Sequence, residues 1–297
     1  ALAGAAPGVA WSATTNIGAG IERDGDHYVI NGRKWWTSGA GDPRCKIYIF
    51  MGKTDFEAPR HSQQSMVLVP AATKGITILR PLSVFGYDDA PHGHMEVLFE
   101  NVRVPASNLV GAEGSGFIQI MENFQSERLG LAVHAYATAQ RCLDLTLQLV
   151  KDRETFGRPL SSRQVVRHKI AEMARQVDVA RTYTRAAFDL WLDGDAIDAA
   201  VLEVSMAKNT ACAACDHVVD EAVQLFGGLG YMRDSEVEMA YRDSRIVRIG
   251  GGPDGTMRIR PAPGPGSAAF LLKTNSARPF PLPGGHHLSR LTSGHSS

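Results

Sequence analysis

The sequence predicts an α+β protein in which an antiparallel β-barrel or sandwich domain leads into an antiparallel four-helix bundle. Two observations carry that prediction. Over the first hundred residues, short β-rich runs are punctuated by Gly, Pro and Asp, and no helical period intervenes. From Phe117 onward, apolar residues recur every three or four positions instead, at Phe117, Ile120 and Phe124 and again at Leu143, Leu147 and Val150. The 297 residues carry 31 Lys+Arg against 31 Asp+Glu, a balance without the basic stripe that nucleic acid requires. No apolar run approaches the roughly 18 residues of a membrane span. Four cysteines are too few for a disulfide framework and point to a reducing compartment.

Taken in order, residues 1–15 suggest no element. A hairpin follows, from Ile17 to Arg23, through a turn at Asp24-Gly25-Asp26, to His27–Asn31. Further strands are expected at Lys46–Met51, Ser65–Val69, Ile76–Leu79 and His94–Pro105, the last stopped by its proline. The β domain thus covers 16–113 and the helical domain 114–260. The first long helix ends before a break at Gly157-Arg158-Pro159. A second runs from Ser161 or Ser162 to Leu192, closing at Asp193-Gly194-Asp195, and a third from about Ala196 to Leu225. A shorter fourth spans roughly Ser235 to Ile249. Long helices with short connections pack as an antiparallel bundle. Residues 261–297, rich in Pro, Gly, Ser and His, read as a disordered tail.

Several strings in this order carry a resemblance. They are Asn31-Gly32-Arg33-Lys34-Trp35-Trp36-Thr37-Ser38-Gly39, Phe99-Glu100-Asn101-Val102-Arg103-Val104-Pro105, Arg153-Glu154-Thr155-Phe156-Gly157, Gln224-Leu225-Phe226-Gly227-Gly228-Leu229-Gly230-Tyr231 and Tyr241-Arg242-Asp243. Together they resemble the acyl-CoA dehydrogenase family from about Asn16 to Arg258. The resemblance implies an FAD-dependent enzyme of lipid metabolism and fatty acid β-oxidation. Such an enzyme converts an acyl-CoA thioester to the trans-2-enoyl-CoA, a base removing the α-proton while the β-hydrogen leaves as hydride to flavin N5. It also implies electron-transferring flavoprotein as acceptor, a homodimer or homotetramer, and the bacterial cytoplasm or mitochondrial matrix.

The same resemblance assigns residues. The family's usual base, a Glu after the last bundle helix, is replaced here by Gly251. The alternative Glu on the first long helix is present, as Glu127 in Ser126-Glu127-Arg128-Leu129. Glu127 is therefore the expected base, Arg128 its neighbour about 100° around the helix, and the Gly251 backbone N–H the expected donor to the thioester oxygen. Asp254 is the fallback base. Trp36, Thr37 and Ser38 are expected along the flavin ring. Arg153, Thr155 and Phe156 are expected at the FAD pyrophosphate of a neighbouring subunit, facing Gln224, Gly227 and Gly228, with Gln164 a further cofactor contact.

Other patterns carry less. Cys212-Ala213-Ala214-Cys215 has metal-ligand spacing but lies within a helical run and lacks a partner pair. His92-Gly93-His94 lacks a third ligand, and no metal is expected. The family's leading helical domain and closing helix have no counterpart, so a truncated chain is the expectation. Two other readings stay open: an oligomerising or binding remnant without catalysis, and an acyl-CoA oxidase-like flavoenzyme that uses oxygen.

Overall fold

The structure is a computed structural model and describes residues 1–8, 16–193 and 197–255. The expected tail at 261–297, and the Gly194-Asp195 part of the turn expected after the second helix, lie outside the described residues.

Seven strands form one sheet: β1 (Leu2–Ala3), β2 (Gly20–Asp24), β3 (His27–Ser38), β4 (Ile47–Lys53), β5 (Gln64–Pro70), β6 (Ile76–Pro81) and β7 (His94–Pro105). Their order is β1-β4-β2-β3-β7-β6, with β5 paired to β4. Most pairs are antiparallel, but β4 runs parallel to both β1 and β2. Leu2–Ala3, where the sequence suggested no element, is held by pairing with Ile49 and Phe50 of β4, a non-local contact. Alternate residues of the strands turn inward, so Tyr28, Ile30, Phe50, Val67, Val69, Val97, Phe99, Val102 and Val104 make an almost water-free core. Phe99 anchors it, its ring meeting those of Tyr48 and Phe50 edge-on at 5.7 and 4.8 Å.

Four helices follow: α1 (Gly116–Asp152), α2 (Gln164–Leu192), α3 (Ile197–Phe226) and α4 (Glu236–Ser244). The second starts later than its serines suggest, because Leu160–Ser162 form a 3-10 turn and Arg163 becomes the cap residue. The last expected helix divides likewise, with Arg245–Arg248 in a 3-10 turn. A seam of small buried residues, Ala132, Ala135 and Ala139 of α1 with Ala211, Cys212 and Ala222 of α3, lets these helices approach closely. Burial pushes the Cys212 and Cys215 thiols up to about 12.

One helix joins the two layers. The first turns of α1 place Ile120 and Phe124 in the sheet core, while Ala132 onward belongs to the bundle core. Its entry is fixed where the Gly114 N–H donates to Ser65 Oγ at 2.8 Å. Residues 125–131, between the two cores, are where a sheet-bound group and a bundle loop can meet.

Candidate active site

Glu127 and Arg128 fall in that stretch of α1. Arg128 is 6% exposed and its guanidinium lies 5.5 Å from the Phe124 ring centre. Its Nε donates to the Gly251 carbonyl at 2.9 Å. Glu127 is exposed overall, yet partial desolvation raises its pKa, with the Arg128 charge pulling the other way. A carboxyl raised above its ordinary range is the state a general base near neutrality needs.

Gly251 is buried, with φ +64, in the left-handed region that side chains resist. A Cβ built there would lie 2.8 Å from Leu131 Cδ1 and 3.4 Å from Arg128 Cγ. The loop therefore rests directly on α1, against Arg128 and Leu131. Among the described residues the Gly251 N–H has no hydrogen-bond acceptor. A buried donor without a partner is uncommon and suits a ligand oxygen.

Asp254, the fallback base, is already committed. Its carboxylate accepts from Arg248 Nε at 2.7 Å and lies 3.3 Å from Lys208 Nζ. Both of its oxygens are thus engaged in ion pairs within the fold.

A second group closes β3. The β3–β7 ladder shifts register between Lys34 and Thr37, and Trp36 sits in that irregularity with φ 53. The shift turns both Lys34 and Thr37 inward. Trp36 is 48% exposed, with the His94 ring 6.0 Å away, while Ser38 Oγ pairs with His94 Nδ1 at 2.7 Å. Thr37 is fully buried and, among the described residues, its Oγ1 has no hydrogen-bond partner. An orphaned buried hydroxyl costs about 1–3 kcal/mol, so a cofactor edge bonding to it fits the residues present.

A third group joins two of the expected phosphate-binding segments. Phe156 and Gly157, with φ 52 and 74, make the two-residue turn between β8 (Glu154–Thr155) and β9 (Arg158–Pro159). Phe156 is 99% exposed. Arg153 donates through NH1 to the Phe226 carbonyl at 2.8 Å, which brings it beside Gly227 at the end of α3. Arg163 donates to the Thr155 carbonyl at 2.6 Å and so braces the turn. Gln164, Gln224, Gly227 and Gly228 are exposed. A cavity of about 360 Å³ between α1 and α4, lined by His134, Arg141 and Glu236 among others, does not include Glu127.

Lys208, Arg248 and His94 were not visible as site neighbours from the sequence. Each meets its partner through the fold, and a lysine on an apolar helix face is the one local cue, at Lys208.

A sheet domain followed by a helical bundle, with Arg128 buried against a glycine loop, is the arrangement that the sequence resemblance implies. The chain belongs to the acyl-CoA dehydrogenase family: residues 1–102 match "Acyl-CoA dehydrogenase, middle domain" and residues 114–262 match "Acyl-CoA dehydrogenase, C-terminal domain". It is 46% identical over 250 residues to the "Probable acyl-CoA dehydrogenase FadE2" of Mycobacterium tuberculosis, covering 84% of this chain and 60% of that protein. It is 43% identical over 248 residues to the "Probable acyl-CoA dehydrogenase IBR3" of Arabidopsis thaliana, covering 84% of this chain and 30% of that protein. The crystal structure of a probable acyl-CoA dehydrogenase from Mycobacterium abscessus superposes with a TM-score of 0.81 at 49% identity, over 86% of this chain and 66% of that one. The chain thus spans less than two thirds of these relatives.

Proposed function

We propose that this chain carries the chemistry-bearing part of an FAD-dependent acyl-CoA dehydrogenase, oxidising an acyl-CoA thioester to the trans-2-enoyl-CoA. The observation that supports the reading is the bond from Arg128, next to Glu127 on α1, to the Gly251 carbonyl, with desolvation raising the pKa of the Glu127 carboxyl and the Gly251 N–H without an acceptor among the described residues. Glu127 takes the α-proton. The Gly251 N–H donates to the thioester oxygen, stabilising enolate charge as it develops. Arg128 fixes the Gly251–Gly252 peptide through the Gly251 carbonyl and lowers the cost of ionising Glu127.

The residues present fit FAD: the orphaned Thr37 hydroxyl supports a ring-edge contact, with Trp36 and Ser38 alongside. Arg153, Thr155 and Phe156 suit its pyrophosphate, and Gln224, Gly227, Gly228 and Gln164 its adenosine end, because exposed glycines permit close backbone approach. When bound, FAD supplies the hydride acceptor. The exposed Phe156 hairpin supports a homodimer or homotetramer in which the phosphate site crosses subunits. Electron-transferring flavoprotein is the proposed acceptor, and fatty acid β-oxidation in bacterial cytoplasm or mitochondrial matrix the proposed setting. Free cysteines agree with a reducing compartment.

The test is spectroscopic. The purified chain supplied with FAD is expected to retain visible flavin bands, and saturated acyl-CoA is expected to bleach them anaerobically. Failure to retain flavin refutes the cofactor assignment; retained flavin unbleached by short, medium or long acyl chains refutes the dehydrogenase assignment.

A further inference from the structure

Lys208 of α3 is fully buried, yet it has no place in the chemistry above. Its ammonium donates to the Gly252 carbonyl at 3.0 Å and lies 3.3 Å from Asp254 Oδ1. Arg248 grips the other Asp254 oxygen at 2.7 Å and ties it to Asp216 of α3 at 2.6 Å. Asn209 Nδ2 adds a bond to the Asp254 carbonyl at 3.3 Å. With Arg128 on the Gly251 carbonyl, the carbonyls of 251, 252 and 254 are all drawn toward side chains of α1 and α3.

Peptide geometry gives this a consequence. In a trans peptide the C=O and N–H point in opposite directions, so anchoring the Gly251 carbonyl on Arg128 turns the Gly252 N–H the other way. Gly251 and Gly252 have φ +64 and +111, backbone conformations that a side chain would resist. Neither N–H has an acceptor among the described residues. Pro253 contributes no donor of its own. Desolvating an ammonium costs several kcal/mol, a cost an apolar residue at 208 would avoid.

We propose that Lys208 and Asp254, with Arg248, are positioning residues that hold the glycine loop so that the Gly251 and Gly252 N–H groups receive the thioester oxygen; this rests on the acyl-CoA reading. The clamp takes over the orienting work in a loop that carries no side chain at 251.

Deuterium uptake from solvent at the acyl-CoA α-carbon tests it, because that exchange reads enolate formation without hydride transfer. Asp254→Asn and Lys208→Met are expected to slow exchange at least tenfold at saturating acyl-CoA, with little change in half-saturation. Glu127→Gln is expected to abolish exchange. In parallel, amide exchange of segment 246–255 is expected to rise at least tenfold in both clamp variants, with the sheet amides unchanged. Clamp variants within twofold of wild type, beside an inactive Glu127→Gln, overturn the clamp and leave the base standing. Exchange surviving Glu127→Gln, or absent in wild type, overturns the base reading. Amide protection of 246–255 then decides the clamp alone: unchanged protection in Asp254→Asn, the milder substitution, refutes it.

Discussion

Replacing Gly251 by Ala isolates the backbone geometry on which the site depends. The residue sits at φ +64, and forcing an L side chain into the left-handed region costs about 1–2 kcal/mol. The new Cβ would stand 2.8 Å from Leu131 Cδ1. That methyl ends a flexible side chain, so it can swing away at an off-rotamer cost of about 0.5–1.5 kcal/mol. The expected destabilisation is therefore about 1.5–3.5 kcal/mol, read from urea-unfolding midpoints at constant slope. Leu131→Ala removes the clashing methyl, so in that background the steric part vanishes and about 1–2 kcal/mol remains. A cost below about 0.5 kcal/mol in wild type refutes the loop conformation. A cost unaltered by Leu131→Ala refutes the contact with α1.

Arg128→Gln removes the charge that lowers the Glu127 pKa, so the alkaline-rising limb of α-proton exchange is expected to move to higher pH. It also leaves the Gly251 carbonyl short of its donor, for about 1–3 kcal/mol of lost stability by chemical denaturation. Thr37→Val deletes the orphaned hydroxyl, so flavin-free protein gains about 1 kcal/mol or more while FAD binds more weakly; calorimetric melts with and without FAD show the opposed signs. Burial lowers the Lys34 ammonium from 10.5 to about 7. Between those values the unfolded chain binds more protons, so this group makes stability rise with pH, by about 3–4 kcal/mol from pH 7 to 10. Lys34→Met is expected to remove that rise when unfolding free energies are compared between pH 7 and 10.

What the sequence made legible followed from local pattern. Period-two runs and their Gly, Pro and Asp stops located β2 to β7, and the three-to-four residue period located α1 to α4, because both signals are properties of contiguous residues. Leu2–Ala3 escaped because two residues carry no period and their strand exists only through β4. The parallel pairings of β4 escaped for the same reason: strand direction is decided by the chain path. In the site, Glu127 and Arg128 were visible as neighbours, and Gly251 by its missing carboxylate. The bond from Arg128 to Gly251 spans 123 residues, and those from Lys208 and Asn209 to the 252–254 segment span 44 and 45. No periodicity reports such pairs. Asp254 was a fallback base on residue type alone, because its pairing with Lys208 and Arg248 is a product of the fold.

The identity of the base is the central claim, and Glu127→Gln tests it most directly. The variant keeps side-chain size and removes only the ionisable group. Loaded with FAD and mixed anaerobically with saturated acyl-CoA, it is expected to keep its flavin bands unbleached while wild type loses them. Bleaching by Glu127→Gln at the wild-type rate would contradict the account and move the proton acceptor to another residue.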